Sequence, residues 1–196
     1  MNLTEIKESI VTYQTSTRDY LKNGLDKIFQ KADYCDLLGK TFTSFPEEDL
    51  VMYLGVKNAT LYGFLTNDNI NYTQWNETTK IHVLEFKSFT NDSYNTLKNH
   101  YSKVAKPNSS HAIDSSVAFE RIENWKANKI TWIENVARTK RIAQLFLLPI
   151  KSFQGLSISQ MVLALTLGEN QIDLISTSPS GLYDISRPVP PYKPRF

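Results

Sequence analysis

The sequence predicts one α+β domain built on a largely antiparallel sheet. Three observations carry that prediction. Apolar residues recur at helical spacing over 3–31, a second such stripe covers 91–105, and short β-rich runs separated by turn residues fill the C-terminal half. With 196 residues the chain suits a single domain, taken as 1–186, followed by a Pro-rich arm over 187–196. A domain of this size buries roughly 70% of the surface its unfolded chain exposes, enough to fold without covalent staples.

The first element is a long amphipathic helix over 3–31. Leu3, Ile6, Ile10, Tyr13, Thr17, Leu21, Leu25 and Ile28 recur at steps of three and four. The stripe is narrow and is broken by Thr15, Ser16 and Thr17. It suits packing on a sheet, or pairing with a helix of another chain. After a connection over 32–48, Leu50–Leu54 and Ala59–Thr66 read as two strands of a hairpin turning at Gly55-Val56-Lys57-Asn58. The run from Lys80 to Phe86 is apolar on both faces and predicts a central strand covered on both sides.

Thr90 is a fitting N-cap for the second helix, whose stripe is Tyr94, Leu97, Tyr101 and Val104, with Pro107 beyond its end. Asn108–Ser116 reads as a Ser-rich loop. Strands are expected at Val117–Ile122, Lys129–Val136, Arg141–Leu148, Met161–Leu167 and Ile172–Ser176, as antiparallel neighbours joined by short turns. Ser157-Ile158-Ser159-Gln160 also has the form of a capping box, so 157–167 reads either as a strand or as a short helix ended by Gly168. In the tail, Pro188, Pro190, Pro191 and Pro194 fix φ and remove donors, which excludes helix and inner strand and predicts an extended arm.

Composition is ordinary for a globular chain, with 41% hydrophobic and 21% charged residues. A net charge of +2 argues against a nucleic-acid binder of the strongly basic kind. A single cysteine, Cys35, excludes an intrachain disulfide. No basic segment followed by an apolar run opens the chain, and no apolar stretch approaches the roughly 20 residues that span a bilayer. A cytoplasmic protein without membrane insertion is expected. Sequons occur at Asn2, Asn58, Asn71, Asn76, Asn91 and Asn108, a number that abundant Asn, Ser and Thr supply without a role in glycosylation.

Each candidate site has a simpler reading. Gly39-Lys40-Thr41 resembles the end of a phosphate-binding loop, but the required glycine five residues before the Gly-Lys pair is Tyr34. Ser109, Ser110, His111 and Asp114 gather the groups of a nucleophilic triad within one short loop, which cannot hold triad geometry by itself. Cys35 with His82 or His100 would make a thiol nucleophile, though a buried, inert cysteine is simpler. Cys35, His82, His100 and His111 lack the short paired spacings of a zinc site. No catalytic residue, cofactor or metal is therefore assigned.

Arg138, Lys140 and Arg141, with Lys126, Lys129, Trp125 and Trp132 nearby, have the residue types of a single-strand binder. Glu120, Glu123 and Glu134 intersperse them, so a charged hairpin turn is the simpler reading. Pro188-Val189-Pro190-Pro191-Tyr192-Lys193 matches a short polyproline recognition pattern.

The functional expectation is a non-enzymatic protein acting by protein–protein contacts, as a structural or accessory subunit of a larger assembly or by self-association. Its contact residues would be Pro188, Pro190, Pro191, Tyr192, Lys193, Arg195 and Phe196. A small-ligand binder or enzyme with a pocket between sheet and helices is the first alternative. A weak nucleic-acid binder using Arg138–Arg141 is the second.

Overall fold

The computed structural model describes residues 1–18, 24–37, 49–67, 71–139, 142–149, 156–166, 171–184 and 186–189. Gly39, Lys40, Thr41, Lys140, Arg141, Gly168 and the tail from Pro190 to Phe196 lie outside them, as does the side chain of Arg138.

Along the described residues run α1 (Leu3–Arg18), α2 (Leu25–Gln30), β1 (Tyr34–Asp36), β2 (Leu50–Lys57), β3 (Thr60–Thr66), β4 (His82–Lys87), α3 (Asn91–Tyr101) and β5 (Ala112–Ile113). There follow α4 (Ser115–Thr139), β6 (Leu145–Leu148), β7 (Gln160–Thr166), β8 (Gln171–Ser178), β9 (Gly181–Asp184) and β10 (Arg187–Val189). The strands form one curved sheet in the order β10-β6-β2-β3-β4-β1-β7-β8-β9-β5. Every described pairing is antiparallel. The α+β expectation therefore holds, with helices laid on an antiparallel sheet.

The largest correction is α4. Val117–Ile122 and Lys129–Val136, expected as strands, belong to one 25-residue helix. Its buried positions are Ala118, Phe119, Ile122, Trp125, Lys129, Trp132, Ile133 and Val136, a 3.6-residue repeat that aromatic and β-branched content disguises. The Ser-rich loop is also shorter than expected, because β5 and the start of α4 fall within it.

The first helix does not run unbroken to residue 31. Gly24 takes φ 62°, a left-handed conformation that stops an α-helix, and α2 starts at Leu25. The polar break at Ser16 and Thr17 is buried instead of exposed, with Gln144 Nε2 donating to Thr17 Oγ1 at 3.0 Å.

The expected hairpin forms, but it turns at Asn58-Ala59, both at positive φ (51° and 57°), as a two-residue turn of the primed kind requires. Gly55 lies inside β2, where a Cβ would stand 2.4 Å from Phe64 and 3.0 Å from the Ser9 carbonyl carbon. That glycine lets the backbone of α1 approach the sheet. Ser157–Ser159 precede a strand, not a helix, so the ambiguous segment resolves as β7.

Two faces of the sheet are covered. Leu50, Met52, Leu54 and Val56 of β2 join Met161, Leu163 and Leu165 of β7, Phe29 of α2, and Trp125 and Trp132 of α4 in the main core. Phe29 meets both tryptophans edge-on, at 5.8 and 6.5 Å between ring centroids. Val162 and Ala164, on the opposite face of β7, pack with Tyr94 and Tyr101 of α3 and with Ala118, Phe119 and Ile122 of α4. β7, buried at five successive positions, is covered on both sides, as are β2 and β8, buried at seven each. The second face of β4, expected to be covered, is half-buried at Val83 and exposed at Glu85. The stripe of α1 is spent on its own sheet, with Ile6 and Ile10 against Val51, Tyr53 and Phe64.

The chain makes a long jump in strand order over a short link. β9 and β10 are consecutive, yet β10 closes one end of the order and β9 lies next to last at the other. The sheet curls so that β10 also touches β8. Arg187–Val189 pair with β6, and Gln144 N–H donates to the Val189 carbonyl at 2.8 Å. The first residues of the expected arm are thus an edge strand, a position that tolerates Pro188 because an edge strand has one unpaired side.

Candidate functional site

Asp173 interrupts the apolar sequence of β8, between Ile172 and Leu174. Strand alternation sends it to the face that carries Ile175, beneath α4. Arg121, one turn from Val117 and Trp125 on α4, reaches down to it. Arg121 Nη1 stands 2.6 Å from Asp184 Oδ2 at the end of β9 and 3.9 Å from Asp173 Oδ2. Two carboxylates on adjacent strands therefore share one guanidinium.

The remaining partners come from the junction leading to β10. Ser186 Oγ donates to Asp173 Oδ1. Leu174 N–H, at 2.7 Å from Asp173 Oδ1 and 2.9 Å from Ser186 Oγ, is shared between them. Asp173 is 9% exposed. Burial pushes its carboxyl up to about 7, and the hydrogen bond and charge of Asp184 push the same way. The bonds from Ser186 and the Leu174 amide oppose them. Chemically, this is a carboxyl poised to exchange a proton near neutrality, with a cation beside it.

Sequence reasoning missed this cluster for two reasons. Arg121 was assigned to a strand, and strands offer no way to hang it over β8. Asp173 did carry a signal, as a charge inside an otherwise apolar strand, but its partners lie 63 and 52 positions apart from Arg121 in sequence and only the fold joins them.

A second buried charge pair is structural in its geometry. Lys129 Nζ lies 2.8 Å from Asp33 Oδ1 and 2.8 Å from the Gln30 carbonyl, while Asp33 Oδ2 accepts from Phe89 N–H at 3.0 Å. This pair ties the end of α2, the approach to β1 and the middle of α4 together.

The residues singled out from sequence are dispersed. Cys35 is fully buried on β1 opposite Phe86 of β4. His82 lies four residues farther along β4, roughly 13 Å away at the rise of a strand. His100 is exposed on α3, and His111 is exposed before β5. Asp114, the carboxylate of the Ser109–Ser110–His111 loop, takes Lys106 at 3.3 Å. Among the described residues, no three His, Cys, Asp or Glu side chains gather as metal ligands.

The aromatic and lysine residues near Arg138 are engaged within the protein. Trp125 and Trp132 are core residues at 0% and 4% exposure, Lys129 is in the buried ion pair, and Lys126 sits over the Tyr94 ring at 3.4 Å. Arg138 belongs to α4 and not to a turn between strands. Of the tail candidates, Pro188 lies in β10, and Pro190, Pro191, Tyr192, Lys193, Arg195 and Phe196 fall outside the described residues.

A shallow hollow at the end of α3, lined by Tyr101, Val104, Pro107 and Leu182, has room for about one water, about 10 Å³. No helix among the described residues is long and apolar enough to cross a membrane. No family model matches the chain, and comparisons with curated proteins and with solved structures also give no match.

Proposed function

We propose that the chain is a non-enzymatic protein acting by protein–protein contacts, as a structural or accessory subunit of a larger assembly. Its contact element is the Pro-rich segment that begins at β10. The observation that supports this reading is the anchoring of β10. Arg187–Val189 are held in register on β6, so a segment leaving Val189 starts from a fixed point on the sheet edge. Pro190, Pro191 and Pro194 lower the entropy lost when such a segment lies extended on a partner. Tyr192 and Phe196 supply apolar area, and Lys193 and Arg195 supply charge. The N-terminal helix has no part in this reading, since its apolar stripe faces its own sheet.

Truncation tests it. Removing 190–196 leaves β10 in place and should weaken self-association in analytical ultracentrifugation, or capture of a stoichiometric partner from the native source, by at least tenfold. Association unchanged by that truncation would sink the proposal.

A second reading, a ligand-binding domain or an enzyme, is favoured by the Arg121–Asp173–Asp184 cluster, because a carboxyl raised to about 7 is a common property of reactive sites. A small-molecule screen read by protein NMR tests it. Perturbations centred on Arg121, Asp173 and Asp184 that vanish in Asp173→Asn would support it, and a screen without such perturbations would count against it.

A further inference from the structure

We infer that Asp173, Asp184, Arg121 and Ser186 form a proton-operated latch on the chain leading from β9 to β10, closed when Asp173 carries a proton and loosened when that proton leaves. The inference concerns the docking of β10 on its own domain, and stands whether or not the following segment meets a partner.

Its first support is geometric. The cluster lies where the short link from β9 to β10 joins the two halves of the strand order. Asp184 closes β9 and pairs with Arg121, which also faces Asp173 of β8, and Ser186, which precedes β10, donates to Asp173. The Leu174 amide of β8 is itself shared between Asp173 and Ser186, so movement of the junction breaks a backbone donor's bond as well.

The second support is charge count. From α4 the cluster receives one cation, Arg121, at 2.6 Å from Asp184 and 3.9 Å from Asp173. From β9 it receives the carboxylate of Asp184. From β7 it receives nothing charged, since the residue opposite Asp173 is Ala164. From the junction it receives the Ser186 hydroxyl. One guanidinium beside two carboxyls is balanced when one carboxyl carries a proton. Loss of that proton leaves a net negative charge in a largely buried place, with Asp184 as the repelled neighbour. The repelled partner is Asp184, the last residue of the four-pair β8–β9 ladder, whereas Asp173 is also fixed by the seven-pair ladder with β7.

The third support is the range in which this occurs. Asp173 holds its proton to about pH 7, against about 3.9 for a free aspartate. An opened junction, with Asp173 in water, regains the ordinary value. Opening should therefore become about tenfold more favourable between pH 6 and pH 8, the ratio that linkage gives for those two values.

Hydrogen exchange of the full chain is the test, read at the amides of 181–189 at pH 6 and pH 8 and corrected for intrinsic rates. The expected result is about tenfold less protection at pH 8 in the wild type and no such difference in Asp173→Asn, whose neutral amide keeps the hydrogen-bonding shape. Asp184→Asn, which removes the repelling charge, should also flatten the difference, and serves if Asp173→Asn does not fold. Equal corrected protection at the two pH values in the wild type overturns the latch. So does a pH difference that survives in both variants.

Discussion

Ala59 occupies the second position of the β2–β3 turn at φ 57°, where its Cβ crowds the following carbonyl oxygen. Ala59→Gly should remove that crowding and stabilise the protein by about 1 kcal/mol, measured as a shift of the urea midpoint without a change in slope. The opposite result is expected four residues earlier. Gly55→Ala places a methyl 2.4 Å from the Phe64 ring and 3.0 Å from the Ser9 backbone, and only the ring can move. It should cost about 1–3 kcal/mol by overpacking, read from the same denaturation curves. The hairpin was legible because two apolar runs flank a segment ending in Lys57-Asn58, although the turn itself lies one residue later, at Asn58-Ala59. The role of Gly55 was not, because a glycine needed for a helix to approach a strand looks in sequence like a glycine needed for a turn. Asp173 shows the same limit: its charge is visible in the sequence, but the Arg121 and Ser186 that give it meaning are not.

Among elements, α4 carries the most. Its Lys129–Asp33 pair is nearly closed to solvent, with side chains 10% and 6% exposed. Lys129→Ala would leave Asp33 buried beside the Gln30 carbonyl and the Phe89 amide without its cation. A loss of about 3–5 kcal/mol is expected, with partial recovery in the double variant Lys129→Met/Asp33→Asn. Equal loss in single and double variants, by equilibrium unfolding, would show that the pair's charge is not what matters. α4 went unread as a helix because Val117, Phe119, Ile122, Ile130, Trp132, Ile133 and Val136 favour strands when counted by type. Counted by spacing, Phe119, Ile122, Trp132, Ile133 and Val136 fall on the buried side of a helix while Val117 is exposed, and tertiary packing decides for the spacing. α3 was legible because it announces its own start: Thr90 accepts from Ser93 N–H at 3.1 Å, and Ser93 Oγ accepts from Thr90 N–H at 2.9 Å.

For the molecule as a whole, stability should fall as pH rises from about 4 to about 7. The folded state keeps a proton on Asp173 across that interval while the unfolded chain gives it up, so unfolding is favoured by each step upward. The interval from 3.8 to about 7 corresponds to at most about 4 kcal/mol. Below it the sign reverses, because ion pairing and hydrogen bonds hold Glu5 and Glu123 below the ordinary glutamate value, and what they contribute is lost as acid protonates them. Thermal melts from pH 4 to pH 8 should therefore peak near the acid end, and Asp173→Asn should remove most of the decline toward pH 8. A melting temperature level across pH 5–8 would contradict this. At this scale the sequence disclosed the layers but not the strand order, since nothing local places β9 and β10 in opposite halves of one sheet. That arrangement has a mechanical consequence. From Asp184 to Arg187 there are three Cα steps, at most about 11 Å of chain when taut. The curved sheet carries an inextensible cord across its mouth, so its breathing amplitude is capped by covalent geometry whatever the state of its hydrogen bonds.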